Sequence, residues 1–169
     1  ESEWQTRKKR IDSRLKSLGW AIRPYSDKLN LDTMTATAVE ELPTKNGPAD
    51  YGLFVGGQLL GIIEAKKVTV NPQNVLEQAK RYARGVYQPV GNWDGLKVPF
   101  LYATNGTIVW YLDTRQAKKV SRELKGFHTP DAMSGLFTQD HQPAADWLKN
   151  TPPEQIERLR PYQRECILA

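Results

Sequence analysis

GPADYGLFVGGQLLGIIEAKK, residues 47–67, reads as two strands at about 49–55 and 58–66 folded back on the pair Gly56-Gly57. Side chains alternate along a strand, so Glu64 and Lys66 share one face while Ala65 points to the other. The place of Asp50 depends on the turn. A plain two-residue loop pairs Val55 with Gln58 and sets Asp50 opposite Ile63. A three-residue loop, or one bulge, sets Asp50 opposite Glu64, with β-carbons about 5 Å apart. Two carboxylates that close repel each other unless a cation lies between them.

Such a pair suits Mg²⁺, a hard ion that takes one or two carboxylates and keeps several waters. Held beside a phosphodiester, the ion acidifies a water and neutralises developing charge. A neighbouring lysine can orient that water, help deprotonate it or stabilise the negative charge. The competing reading is a surface ion pair. Glu-x-Lys is weak by itself, because Glu123 and Lys125 repeat it after Asp113, in a polar stretch that reads as a solvated turn or edge strand. The first copy ends an apolar run, "LLGIIEAK", which predicts a buried strand whose charges must be accommodated.

Working outward, Trp4, Ile11, Leu15 and Leu18 recur at helical spacing, so residues 3–18 are expected to be an amphipathic helix stopped by Gly19, with Arg7, Arg10 and Arg14 on its other face. "GWAIRPY" and "TATAVEEL" read as strands, and residues 26–36 as loop or a short helix. Asn71-Pro72 starts a helix whose buried stripe is Val75, Ala79, Tyr82 and Val86. Gln78 and Tyr82, four apart, are neighbours flanking that stripe. A Gln there needs a polar partner, either the adjacent strand end or a loop backbone. Lys80, Arg81 and Arg84 lie on the outer side, for phosphate contact or solubility. "KVPFLYAT" and "TIVWYL" form a second hairpin about Asn105-Gly106; the triplet Asn105-Gly106-Thr107 reads as a turn before a glycosylation site. Beyond Gly126, short helices are expected in "HTPDAMSGLF" and "QPAADWL". Strands and helices alternate, giving an α/β chain with a mixed central sheet flanked by helices.

The 169 residues suffice for one well-formed core. A net charge of +5 and a pI near 9.3 admit an anionic partner without specifying nucleic acid. The single cysteine, Cys166, excludes an internal disulfide framework and suits a reducing, cytoplasmic setting. No apolar run reaches membrane-spanning length, so no membrane partner is expected. The chain has no initiator Met and stops within an expected helix, which reads as a fragment of something longer.

Taken together, these segments resemble the PD-(D/E)xK nuclease domain that opens the motor (R) subunit of type I restriction enzymes. "EWQTRKKRIDSRLKSLGW" is similar to that family's first helix and Gly-Trp. "GPADYGL" carries its aspartate at Asp50, "IIEAKK" its Glu64 and Lys66, and "QAKRY" its Gln-x-x-x-Tyr at Gln78 and Tyr82. "LRPYQRECILA" resembles the start of a superfamily 2 helicase motor, where Gln163 would reach the adenine of ATP. No G-x-x-x-x-G-K-[ST] loop occurs in these residues to hold the phosphates.

The resemblance implies a restriction-endonuclease-like core over residues 1–126, a helical extension or linker over 127–152, and the start of the motor over 153–169. It implies a Mg²⁺-dependent cut of double-stranded DNA within an ATP-dependent complex with modification and specificity subunits. Asp50, Glu64 and the Ala65 carbonyl would hold the metal, Lys66 would serve the attacking water, and Gln78 and Tyr82 would position the site or the DNA. Glu3 is a further acid, although an i,i+4 pair with Arg7 is the expectation for it. His128 and His141 lack ligand-like company and receive no role. Two other readings stay open: a nuclease-like docking module that does not cut, and a nuclease of another helicase-coupled repair or defence system.

Overall fold

The structure, a computed structural model, describes residues 1–139 and 142–168, without the side chains of residues 73, 142, 144, 145, 148, 164, 165, 167 and 168. His141 lies outside the described residues. The chain forms two compact units, Glu1–Phe137 and Thr138–Ala169. The second is built of helices Gln142–Asn150 and Pro161–Leu168, with a 3₁₀ turn at Pro153–Gln155 between them.

A mixed seven-stranded sheet forms the first unit, in the order β1 (Ala21–Pro24), β2 (Ala36–Leu42), β3 (Ala49–Val55), β4 (Gln58–Ala65), β5 (Phe100–Thr104), β6 (Val109–Asp113) and β7 (Arg122–Leu124). β1–β2 and β4–β5 are parallel and the other neighbours antiparallel. A 3₁₀ turn, Pro72–Val75, leads into helix Leu76–Gly85, which crosses between β4 and β5. The expected stripe is buried: Val75, Ala79, Tyr82 and Val86 pack with Ile62, Leu101 and Leu112 on one face of the sheet. On the other face, Ile11 and Leu15 of the N-terminal helix pack with Met133 of helix Pro130–Thr138 on Ile63, Ala65 and Tyr102. Ile62 and Ile63 thus face opposite ways, and alternation sends Glu64 to the side of Ile62.

The turn satisfies the condition on Asp50 in an unexpected place. Gly56 and Gly57 have φ of 56° and 77°, as a two-residue hairpin loop requires, and Val55 pairs with Gln58. The extra residue enters further along: Phe54 pairs with Leu59 but Leu53 pairs with Gly61, leaving Leu60 as a bulge. From there Tyr51 faces Ile63, so one residue onward Asp50 stands opposite Glu64. The bulge therefore belongs to the strand and not to the glycine pair.

The N-terminal helix corrects two expectations. It is continuous but mixed: α-helical over Glu3–Thr6, a π turn over Arg7–Ile11, and α-helical again over Asp12–Ser17. One extra residue per π turn rotates everything before it relative to everything after. Trp4, counted in the buried stripe, is 65% exposed, and Arg7, counted on the outer face, is 7% exposed. Ser2 and Gln5 form a reciprocal capping box that fixes the helix start.

Candidate active site

Asp50 is the second residue of β3 and Glu64 the last but one of β4, so both carboxylates lie at one end of the sheet. Asp50 Oδ2 accepts the backbone N–H of Ala65 at 2.7 Å, and its Oδ1 accepts from Arg7 Nη1 at 3.0 Å. Glu64 is 2% exposed. Its Oε1 accepts from Lys66 Nζ at 2.8 Å, while its Oε2 is buried without a hydrogen-bond partner. Lys66 lies just past β4, tied to β5 by its N–H on the Thr104 carbonyl at 2.8 Å. Asn105 steadies this end of the sheet, donating to the carbonyls of Val68 and Val70 and accepting from Thr107 and Ile108.

Electrostatics follow from this crowding. Burial, then the charge of Asp50, pushes Glu64 up to about 7 against the pull of Lys66. Burial likewise raises Asp50, opposed by the Ala65 N–H and Arg7. Burial works to lower Lys66, but Glu64 beside it wins and its pKa is raised, so the ammonium stays charged. These signs carry a stability consequence. Between the ordinary value of 4.5 and about 7, the folded chain holds a proton on Glu64 that the unfolded chain lacks. The stabilisation from this proton is therefore full below about pH 4.5 and lost as the pH rises through about 7. Glu64→Gln is neutral at every pH. It is expected to raise the Tm of the metal-free chain at pH 8 and leave it near wild type at pH 4.5. A lower Tm at pH 8 would mean that the bond to Lys66 outweighs burial and the repulsion from Asp50.

Two residues of the N-terminal helix join the site: Arg7, expected on the outer face, and Glu3, named as a further acid but expected to pair with Arg7. Arg7 reaches from the π turn to Asp50, Glu41 and Glu40. Glu3 has no ion pair with Arg7 among the described residues; its carboxylate lies 3.7 Å from Lys66 Nζ. No signal in the helical periodicity marks either, because the π turn breaks the spacing from which faces are read.

Gln78 and Tyr82 do meet, on the face of the sheet that Glu64 shares. Gln78 Nε2 donates to the Tyr82 hydroxyl at 2.9 Å, and Arg81 stacks on the Tyr82 ring with its carbon 5.2 Å from the centroid. The polar partner of Gln78 is thus Tyr82 itself; neither residue bonds Asp50, Glu64 or Lys66 among the described residues. Lys80 pairs with Glu77. His128 serves packing: its Nδ1 lies 2.7 Å from the Tyr102 hydroxyl and its carbonyl accepts from the Trp20 indole. The second Glu-x-Lys copy is on the edge strand β7, with Glu123 and Lys125 exposed, and Asp113 is held by Arg115 at 2.8 Å. In the second unit Gln163 is exposed, and its side chain accepts the backbone N–H of Arg160 at 2.9 Å.

The donor set at Asp50 and Glu64 fits a hard divalent cation. The partnerless Glu64 oxygen is a buried anionic ligand facing a second carboxylate, the arrangement that a cation relieves.

A family model, the second domain of the type I restriction enzyme EcoKI endonuclease subunit, matches residues 24–137. The chain belongs to that family. The EcoKI endonuclease subunit of Escherichia coli (strain K12) is 24% identical over 207 aligned positions, covering 94% of this chain and 18% of the relative. A solved fragment assigned to an HsdR subunit of a type I restriction enzyme from Vibrio vulnificus YJ016 superposes with a TM-score of 0.53 at 20% identity. That likeness covers 81% of this chain and 25% of the fragment, and it is one of fold. The chain thus spans under a fifth of the curated family member's length. The match over residues 24–137 includes Asp50, Glu64, Lys66, Gln78 and Tyr82, and stops short of Gln163.

Proposed function

We propose that this chain is the endonuclease portion of a type I restriction enzyme, and that it hydrolyses phosphodiester bonds of double-stranded DNA with Mg²⁺. The observation that carries the reading is the buried Glu64 oxygen without a partner, opposite Asp50 and beside Lys66. Asp50, Glu64 and the carbonyl of Ala65 hold the cation. When bound, the ion acidifies the attacking water and neutralises charge on the phosphate. Lys66, kept protonated by Glu64, donates to the developing negative charge instead of accepting a proton. Arg7 and the Ala65 N–H orient Asp50, and Gln78 and Tyr82, bonded to each other on the crossover helix, position the site or the DNA.

In the longer protein, Gln163 belongs to an ATP-driven motor that brings DNA to the nuclease, in company with modification and specificity subunits in the cytoplasm. The domain limits at 126 and 152 are part of the same proposal. Among the described residues, no helix is long and apolar enough to cross a membrane. Calorimetric titration of Mg²⁺ or Mn²⁺ into the chain tests the metal assignment. One cation per chain is expected, with affinity at least about tenfold weaker in Glu64→Gln. Equal affinity in wild type and variant would remove Glu64 from the metal site.

A further inference from the structure

The N-terminal helix and the Asn105-Gly106 turn enclose a shallow recess of about 390 Å³, lined by Lys9, Arg10, Ser13, Arg14, Gly106 and Thr107. Three of these residues are basic and none is acidic. The helix comes this close because residue 106 is glycine. Its φ is 80°, and a Cβ there would stand 2.8 Å from both Cβ and Cδ of Arg10. Arg14 forms a fixed wall, its Nη1 donating to the carbonyls of Gly106 and Thr107 at 3.1 Å each. Lys9 and Arg10 are exposed, and Lys9 makes no ion pair among the described residues. Arg10 grips the Glu1 carboxylate through Nε at 3.0 Å and Nη2 at 3.1 Å. Its fork is therefore already set for a planar pair of anionic oxygens, the geometry shared by carboxylate and phosphate.

The position matters as much as the charge. The turn continues β5 past Thr104, which pairs with Ala65 and accepts the N–H of Lys66. Thr104 is thus one strand spacing, about 4.8 Å, from Ala65, and the N-terminal helix that lines the recess also carries Glu3, 3.7 Å from Lys66 Nζ at the same end of the sheet.

We propose that this recess is a backbone-phosphate subsite for duplex DNA, flanking the phosphodiester presented to Asp50, Glu64 and Lys66. The proposal rests on the endonuclease reading above. Lys9 and Arg10 supply the charge, with a DNA phosphate taking the place of Glu1 on the Arg10 fork, and Arg14 holds the rim. Contacts of this kind set the register of a duplex without reading its sequence.

The test is fluorescence anisotropy of the chain with a labelled mixed-sequence duplex across a range of KCl concentrations. Lys9→Gln/Arg10→Gln is expected to weaken binding about tenfold at low salt and to reduce the salt slope by about 2, whatever the sequence. Lys97→Gln/Lys118→Gln makes the same charge change at the opposite end of the sheet. It is expected to stay within about twofold of wild type, which separates a local contact from net charge. An unchanged slope in the first variant, or an equal loss in the second, would overturn the subsite. Melting curves check that the first variant folds; if it does not, Lys9→Gln alone is expected to lower the slope by about 1. The endonuclease reading fails separately, if Lys66→Ala still cuts DNA. A wild-type chain that does not bind the duplex overturns the subsite directly.

Discussion

Lys66→Ala is expected to lower DNA cleavage by the full-length protein about 10³-fold while leaving its ATP hydrolysis unchanged. The size follows from removing one preorganised cationic donor aimed at developing negative charge. Lys66 is well placed for this. Its side chain is 23% exposed, hence open to a substrate, and its Nζ is held by Glu64 at 2.8 Å and near Glu3 at 3.7 Å. Folding should survive. The variant deprives Glu64 of its hydrogen bond, but a carboxyl already raised to about 7 takes up a proton instead of standing as a bare buried charge. The discriminating measurement is a plasmid cleavage assay run beside an ATPase assay on the same preparation. Cleavage within about threefold of wild type, with binding intact, would transfer support to the docking-module reading. Such an outcome would leave the family membership untouched and remove only the chemistry.

The meeting of Glu64 and Lys66 was legible because its signal is local. Alternation along one strand and the apolar run before Glu64 bring Glu64 and Lys66 together. The requirement for one bulge was also legible, since counting from Gly56-Gly57 shows that Asp50 otherwise meets Ile63. The location of that bulge at Leu60 was not. Nothing in "GQLLG" marks which apolar residue is extra, because either choice keeps leucine buried. The comparison of Glu64-x-Lys66 with Glu123-x-Lys125 also held: identical spacing gives a buried glutamate with a half-buried lysine at the end of a central strand, and solvated charges at an edge strand. Arg7, and Lys66 as the neighbour of Glu3, were not legible for a different reason. Helical faces are assigned from a 3.6-residue period, and a π turn shifts that phase without a distinctive residue. The sequence therefore brought Asp50, Glu64 and Lys66 together and missed the cation, Arg7, that orients Asp50.

Arg7→Met is expected to destabilise the chain by about 3–5 kcal/mol at pH 7, the range for stripping one partner from a buried ion pair. Methionine keeps most of the length and flexibility of the Arg7 stem, so packing over the Tyr51 ring, 5.0 Å from the guanidinium carbon, is largely retained. The charge is not. The Arg7 side chain is 9% exposed and contacts Asp50 and Glu40, themselves 13% and 10% exposed. Burial works to lower the Arg7 pKa, but hydrogen bonding to Glu41 and the charge of Asp50 raise it overall, so the guanidinium is firmly charged in the fold. Lys8 still pairs with Glu40 in the variant, but the Ala65 N–H that remains on Asp50 carries no charge, so Asp50 is the carboxylate left stranded. Removal of Arg7 pushes Asp50, already raised by burial, further up. The variant should therefore recover part of its deficit as the pH falls from 7 to about 4 and Asp50 takes up a proton. Urea denaturation at both pH values reads the difference. A loss that is the same at pH 4 as at pH 7 would mean that Arg7 acts through packing alone. A loss below about 1 kcal/mol would mean that the π turn relaxes to an ordinary helix and lets Asp50 and Glu40 reach water.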